Sequence, residues 1–262
     1  MIVVSAQAQR DIQNALDGAR TVFVRRAIVL EESISTQDAA REWAEVGAMV
    51  LALRQTGGRG RFGRGWADTM GKGVAATFVL GGRAFDASFL SITAGLAAFR
   101  ACRQTVGEAR PRLGIKWPND VVTRETPHRK VAGVLVERDG DRWLVGIGVN
   151  VLHTDADWPP GLRGRAVSIG ALAPDAGASV VAVALRLALA LDETLRASRE
   201  EAAAAWNATD VLTGTRAAFR AGDERYEGTV LGIDPFNALR VRIDGGGVVE
   251  LPALTTSVEK EP

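Results

Sequence analysis

The sequence predicts an α+β fold in which a mixed sheet is flanked by helices and followed by a small antiparallel β-barrel. Over residues 21–150, apolar runs rich in β-branched residues alternate with segments of helical periodicity. Residues 175–206 carry Leu, Ala and charged residues at the helical period. Beyond them, short alternating segments are divided by Gly, Asp, Pro and Asn, which is typical of a small barrel. We therefore expect two domains, residues 1–209 and 210–262.

The first predicted elements surround an unusual loop. The β-branched residues 21–31 predict a strand, and a Ser/Thr/Gln/Asp cluster then caps a helix from Gln37 to Val46. Residues 47–55 form a second predicted strand, and residues 72–82 form a third. The segment RQTGGRGRFGRGW, residues 54–66, therefore joins two buried strands; we call it the Gly/Arg loop.

The later elements continue the alternation of helix and strand. Apolar spacing predicts a helix over residues 86–105. Residues 112–123 and 129–151 predict three short strands separated by Asn/Asp/Gly turns. The helical region 175–206 is expected to cover a face of the sheet. Four further strands are expected in RAAFRA, YEGTVLGID, ALRVRID and GVVELP.

The composition excludes several classes of protein. Among the 262 residues, 32 Lys and Arg nearly balance 31 Asp and Glu, so no broad basic surface for polyanions is implied. The single cysteine, Cys102, rules out an internal disulfide framework and is expected to be a buried apolar filler. Two histidines, His128 and His153, argue against a histidine-rich metal site. Without a signal peptide or an apolar stretch of roughly 18 residues, the chain is predicted to be cytoplasmic.

The Gly/Arg loop has the chemistry of an anion-binding segment. Its glycines allow backbone N–H groups to approach a ligand, and Arg59, Arg61 and Arg64 can converge on carboxylate or phosphate oxygens. Trp66 can stack on a flat heterocycle. The alternative is an RGG-like linker or an RNA-binding tract that folds on binding. A P-loop does not fit, because Gly-Lys-Ser/Thr is absent from the loop.

A second group of polar residues lies in GIKWPNDVVTRETPHRKVAGVLVE, residues 114–137. Lys116, Asn119 and Asp120 fall at a strand end, and Lys130 begins the next strand, so a hairpin would bring the two lysines into one region. Such a lysine can hold a carboxylate against an α-phosphate, with Asp120 available for magnesium or a hydroxyl. The alternative is a solvated turn, since Pro-Asn-Asp is good turn chemistry.

A third segment, GIGVNV, runs from Gly146 to Val151. Its glycines permit close backbone approach, and Asn150 can read an amide or an adenine edge. Alone, this segment is better explained by a buried strand turn.

Together these motifs closely resemble one family, the biotin protein ligases, also called biotin–acetyl-CoA-carboxylase ligases. The Gly/Arg loop resembles that family's glycine- and arginine-rich loop, KWPNDV and RKVAGVLVE its central hairpin, and GIGVNV a later strand motif. Ser35-Thr36-Gln37 is similar to its Ser-Thr-Asn. The resemblance implies a class II synthetase-like mixed sheet and a C-terminal SH3-like barrel.

The resemblance also implies a two-step reaction. The biotin carboxylate attacks the α-phosphate of ATP in the presence of Mg²⁺, giving biotinyl-5′-AMP, and a lysine of a biotin carboxyl carrier domain then attacks the acyl carbon. A homodimer is implied as possible. About twenty residues precede the first strand, too few for the DNA-binding domain that some members carry, so we predict no nucleic-acid binding.

Site residues are assigned by matching positions to the family's motifs. The resemblance implies that the catalytic residues are Lys130, Arg59, Arg61 and Lys116. It implies that the biotin pocket is lined by Ser35, Thr36, Gln37, Gln55, Arg59, Gly60, Arg61, Lys130, Gly146 and Gly148. It implies that ATP and the adenylate contact Arg61, Trp66, Lys116, Asn119, Asp120 and Asn150, with Asp120 also serving the metal.

Two departures from the family pattern bear on specificity and on the loop. Gln37 replaces the usual asparagine with a longer amide, and Phe62 stands where arginine is common. Two other functions remain open: a lipoate or octanoate ligase or transferase of the same fold, and a non-catalytic RNA-binding module. The lipoate-type relatives use a different Arg/Gly motif with a nearby histidine, and the Gly/Arg loop has no histidine.

Overall fold

Seven strands form one mixed sheet in the larger part of the chain. The computed structural model describes residues 5–82, 85–107, 113–253 and 255–260. The strands are β1 Arg26–Leu30, β2 Ala48–Ala52, β3 Gly73–Gly81, β4 Leu113–Lys116, β5 Asp120–Thr123, β6 Lys130–Asp139 and β7 Arg142–Asn150. Their order is β1-β2-β3-β7-β6-β5-β4. β1 and β2 are parallel and the other neighbours are antiparallel, so the predicted mixed sheet is confirmed.

Helices flank this sheet on both faces. They are α1 Ala6–Ala19, α2 Thr36–Trp43, α3 Ala87–Val106, α4 Ile169–Leu172, α5 Val180–Thr194 and α6 Arg199–Asn207. The main hydrophobic core lies between the sheet and α1, α3, α5 and α6. α2 packs on the opposite face against β2, β3 and β7, around a smaller apolar cluster. The predicted helix over residues 86–105 is confirmed as α3, which Asp86 caps by accepting the N–H of Phe89.

The central strand β7 shows how the two faces differ. Val145, Ile147 and Val149 point into the main core. Alternate residues of a strand face opposite sides, so Gly146 and Gly148 lie on the α2 face. Two successive glycines on that face allow other side chains to lie directly against the sheet.

The first predicted strand is shorter than its sequence indicates. Residues 21–31 are all compatible with a strand, yet only β1 pairs. The backbone N–H groups of residues 22–24 instead donate to the buried carboxylate of Asp192 on α5, at 2.5–3.1 Å. A distant acid thus supplies the acceptors that a neighbouring strand would have supplied.

Other differences lie in how segments divide. The helical region 175–206 separates into α5 and α6, because Ser198 and Glu201 form a capping box that starts a new helix. Four strands, β4 to β7, replace the three expected, and residue 112 lies outside the described residues. The helix α1 was not predicted.

The C-terminal part forms a second sheet. Its strands are β8 Arg216–Ala221, β9 Glu224–Asp234, β10 Ala238–Ile243, β11 Val248–Pro252 and β12 Thr256–Lys260. The order is β11-β10-β9-β8-β12, with antiparallel neighbours throughout. β12 was not predicted. It pairs with β8 and forms one edge of the sheet, and β11 forms the other. The antiparallel sheet is therefore confirmed, whereas its closure into a barrel and the boundary at residue 210 stay predictions.

Two predictions from composition have counterparts in the structure. Cys102 is buried in α3, and burial raises the pKa of its thiol to about 12, as befits an apolar filler. Within the part of the chain that the structure describes, none of the helices is long and apolar enough to cross a bilayer.

Candidate active site

A cavity of about 900 Å³ opens on the α2 face of the sheet. The start of α2, the Gly/Arg loop, β6, β7 and β12 all contribute to its walls. Every residue that the sequence analysis assigned to the site lines it: Ser35, Thr36, Gln37, Gln55, Arg59, Gly60, Arg61, Trp66, Lys116, Asn119, Asp120, Lys130, Gly146, Gly148 and Asn150. The structure thus brings together motifs separated by more than a hundred positions, while the role of each residue stays a prediction.

Ser35, Thr36 and Gln55 form one fixed wall of the cavity. Ser35 caps α2 by accepting the N–H of Gln37. The N–H and hydroxyl of Thr36 both donate to Gln55 Oε1, at 2.8 and 3.1 Å, and Thr77 donates to the Thr36 hydroxyl. These bonds orient the Gln55 amide from behind. The wall is therefore rigid and polar.

Gln37 carries a buried acceptor. Its Nε2 donates to the carbonyl of Leu135 at 3.2 Å, and the side chain is packed above Gly146, where an added Cβ would lie 3.0 Å from Nε2. Its Oε1 is buried, and within the described residues it has no hydrogen-bond partner. A buried amide oxygen without a donor is costly. This oxygen is enclosed by the protein and is not presented to the cavity, although Gln37 is one of the lining residues.

The floor of the cavity is a row of glycines on adjacent strands. Gly148 on β7 is paired with Gly133 on β6. A Cβ on Gly148 would lie 2.4 Å from the indole of Trp66, and one on Gly133 would lie 2.7 Å from the ammonium of Lys130. Both larger side chains therefore lie flat over backbone that only glycine leaves open.

Lys130 lies where the floor meets the Gly/Arg loop. Its Nζ is 2.6 Å from Asp120 Oδ1 and 5.5 Å from the centre of the Trp66 ring. The backbone N–H of Lys130 donates to the Arg165 carbonyl at 2.8 Å, and the backbone carbonyl of Lys130 accepts the N–H of Val167 at 2.9 Å. The backbone is held on both sides, so the ammonium group projects from a fixed base.

The turn between β4 and β5 places the remaining polar residues. Lys116 pairs in register with Asp120, and the Asn119 amide donates to the carbonyl of Val134. Asn150 donates its Nδ2 to the carbonyls of Lys130 and Val167, at 3.1 and 3.3 Å. Asn119 and Asn150 thus brace the backbone that carries the lysines, a role that sequence analysis did not foresee.

The Gly/Arg loop folds back on itself as a small hairpin. Gly60 donates to the carbonyl of Arg64 at 2.7 Å. At its tip, Phe62 is exposed and adopts a φ of 56°, which is unusual for a residue with a side chain.

The arginines of the loop have partners outside it. Arg61 donates to the carbonyl of Ala253 in the C-terminal part at 2.7 Å, and burial lowers the pKa of its guanidinium. Arg59 is in a bidentate pair with Asp38, at 2.7 Å for both bonds.

Several lining residues were missed by the sequence analysis. Leu135 and Arg165 contribute through the backbone, which carries no residue-specific signal. Ser257 and Glu259 lie on β12, about two hundred positions from the Gly/Arg loop. Gly133 had a usable signal, because an isolated glycine within a strand indicates close approach by another group.

Asp68 supports the wall behind Gln55 and makes stability depend on pH. It accepts the N–H of Gln55 at 2.6 Å, yet burial raises its pKa to about 6. The folded state therefore binds more protons than the unfolded state between about pH 4 and 6. The contribution of Asp68 to the free energy of unfolding thus falls as the pH rises through that window.

We expect Asp68→Asn to stabilise the protein at pH 7.5 and to have little effect at pH 4.5, where Asp68 is already neutral. Because the side chain is partly exposed, the gain is roughly 1 kcal/mol, or about 2–4 °C in Tm. Thermal unfolding at the two pH values measures it. An equal change in Tm at both values would contradict the assignment.

Comparisons with known proteins agree on one family. The model of the biotin/lipoate A/B protein ligase family matches residues 30–153. The biotin–[acetyl-CoA-carboxylase] ligase of Mycobacterium tuberculosis is 28% identical over 254 residues, covering 92% of each chain. That of Paracoccus denitrificans is 42% identical over 136 residues, 50% of this chain and 48% of that protein. The structure of the Aquifex aeolicus biotin protein ligase in complex with biotin and ATP superposes with a TM-score of 0.78 at 26% identity, covering 90% of this chain and 99% of that one.

Proposed function

The chain belongs to the biotin/lipoate A/B protein ligase family, and from that premise we propose that it is a biotin–protein ligase. It activates biotin with ATP to biotinyl-5′-AMP and transfers the biotinyl group to a lysine of a carboxyl carrier domain. One observation carries the proposal: the cavity brings the arginines of the Gly/Arg loop to the same space as Lys130, above a glycine floor. Cations that converge on one cavity suit an acyl phosphate.

The polar wall favours biotin over lipoate. The ureido ring of biotin presents N–H donors, whereas the dithiolane ring of lipoate has none. Ser35, Thr36, Gln37 and Gln55 line the cavity with hydroxyl and amide groups that can exchange hydrogen bonds with such a ring. A pocket lined with these groups would penalise the dithiolane, because that ring offers them no hydrogen bonds in return.

In the first step, a carboxylate oxygen of biotin attacks the α-phosphorus of ATP and the bond to the β-phosphate breaks, releasing pyrophosphate. Lys130 holds the carboxylate and the α-phosphate together and offsets the charge that develops there. Arg61 and Lys116 add positive charge around the phosphates, and Trp66 packs against adenine. Arg59, whose charge is offset by Asp38, holds the loop beside the biotin pocket. Gly146 and Gly148 make room for the side chains of Gln37 and Trp66, and Gly60 lets the substrate approach the backbone of the loop.

In the second step, the neutral amine of a carrier lysine attacks the acyl carbon of biotinyl-5′-AMP. The bond to the phosphate oxygen breaks, AMP leaves, and the lysine nitrogen loses a proton to solvent. Until then the mixed anhydride must be kept from water. The folded Gly/Arg loop and β12 both contribute residues to the walls of the cavity and can provide that shelter.

Magnesium would be held mainly by the substrate. Within the described residues, no group of three acidic, histidine or cysteine side chains could bind a metal ion. Mg²⁺ commonly uses one or two carboxylates together with phosphates and water. Asp120, which lines the cavity, and Asn119 beside it would be the nearby protein groups. The ion would neutralise phosphate charge there.

Three finer features belong to the same proposal. The protein partner is a biotin carboxyl carrier domain. Two copies of this chain would form a homodimer, as the resemblance to the family implies. Residues 210–262 form a separate small domain that closes as an SH3-like barrel. Support comes from the strand order of the second sheet, in which β11 and β12, consecutive in the chain, form its two edges.

The test is to incubate the full chain with ATP, Mg²⁺, biotin and a carboxyl carrier domain, and to measure the intact mass of the carrier. We expect a shift of one biotinyl group that depends on ATP. A parallel reaction with lipoate is the specificity control. Lipoylation without biotinylation would overturn the choice of substrate, and no modification by either acid would overturn the ligase function.

A further inference from the structure

One cation of the Gly/Arg loop is held by a residue outside the cavity. Both terminal nitrogens of Arg59 bond to the carboxylate of Asp38, at 2.7 Å each. Asp38 is in the first turn of α2, directly after Gln37, and it does not line the cavity, whereas Arg59 does. The pair therefore ties the loop to the helix that begins at the polar wall.

Asp38 is part of a larger set of alternating charges. Arg41 bonds to Asp38 at 3.0 Å and to Glu137 on β6 at 2.9 Å, and Glu137 is also 4.0 Å from Arg59. Asp38 has a lowered pKa, chiefly because of its hydrogen bond to Arg59. When Arg59 moves away, Arg41 remains beside Asp38, so the carboxylate keeps a partner. The contact can therefore break and re-form at low cost.

We infer that Asp38 is a positioning residue that keeps the Gly/Arg loop closed over the cavity and so retains the acyl-adenylate between the two steps. The retention role rests on the proposed function; the closure itself rests on the geometry alone. Both side chains are partly exposed, at 38% and 44%, which makes the pair sensitive to salt and weak enough to open for substrates.

Limited trypsin digestion tests closure without reference to activity. The loop carries cleavage sites after Arg59, Arg61 and Arg64. We expect Asp38→Asn to speed cleavage at these sites about fivefold, because a weaker closure raises the open population. The matched control is Glu32→Gln, which removes an exposed carboxylate from its pair with Arg54 at the other end of the loop. That variant should be cleaved like the wild type.

Salt and a conservative variant separate positioning from simple helix stabilisation. An acid in the first turn also stabilises α2, so Asp38→Asn lowers Tm in either case. Raising the salt concentration from 0.05 to 1 M should speed loop cleavage of the wild type but leave Asp38→Asn unchanged, and Asp38→Glu should restore part of the protection. If the rate of loop cleavage in the wild type does not change with salt concentration, the proposal is overturned, even if Asp38→Asn does not fold.

The retention role has its own measurement. With ATP, Mg²⁺, biotin and serum albumin as a bystander, Asp38→Asn should increase albumin biotinylation at least threefold, with biotin-dependent pyrophosphate exchange kept within about threefold of wild type. Faster loop cleavage without added albumin labelling would overturn retention. If the wild type forms no biotinyl-5′-AMP at all, the proposed function fails, while the cleavage result still decides closure.

Discussion

Replacing Lys130 with methionine is expected to reduce biotinyl-5′-AMP formation roughly a thousandfold, the order of loss seen when a preorganised donor to a developing charge is removed. The ammonium projects from backbone held by Arg165 and Val167 and is steered by Asp120 at 2.6 Å. Methionine keeps most of the length of the side chain but removes the ammonium, with its charge, its bond to Asp120 and its contact with Trp66. Biotin-dependent exchange of pyrophosphate into ATP measures the loss.

Lys72→Met is the matched control for this variant. Lys72 also pairs with a carboxylate, Asp157, at 2.7 Å, but it does not line the cavity. Losing that pair should change Tm slightly and leave exchange near the wild-type rate. Exchange by Lys130→Met within tenfold of wild type, with a normal melting curve, would contradict the assigned role.

Much of the fold follows from local sequence because its strands and helices carry their own patterns. The apolar runs predict β2 and β3, and the helical period predicts α3. The first strand shows the limit of that reasoning. Residues 22–24 have strand propensity, but the carboxylate of Asp192 takes their N–H groups. A contact across about 170 positions leaves no trace in the local pattern.

The same limit applies to the cavity. The resemblance to the family gave its lining residues, because the order of residues in each motif is distinctive, as in the Gly/Arg loop. It did not give the partners that fix those residues, such as Asp38 for Arg59 and the Ala253 carbonyl for Arg61. One partner is an ordinary first-turn acid and the other is a backbone atom. Neither can be distinguished until the chain is folded.

The second large effect is expected from Gly148→Ala, which adds one methyl group to the cavity floor. The new Cβ would lie 2.4 Å from the Trp66 indole, far inside contact distance. The ring must therefore move away from the cavity floor, and the surface that it offers to adenine moves with it. Overpacking of this kind costs about 1–3 kcal/mol. Because the ring must be pressed back against the added carbon to pack on adenine, this cost falls on ATP binding, and kcat/KM for ATP should fall roughly 10- to 100-fold.

Gly232→Ala is the control, because Gly232 lies in strand β9 with nothing within 4 Å of an added Cβ. An unchanged kcat/KM for ATP in Gly148→Ala would show that Trp66 does not form the adenine surface, since the ring cannot keep its place beside the added carbon.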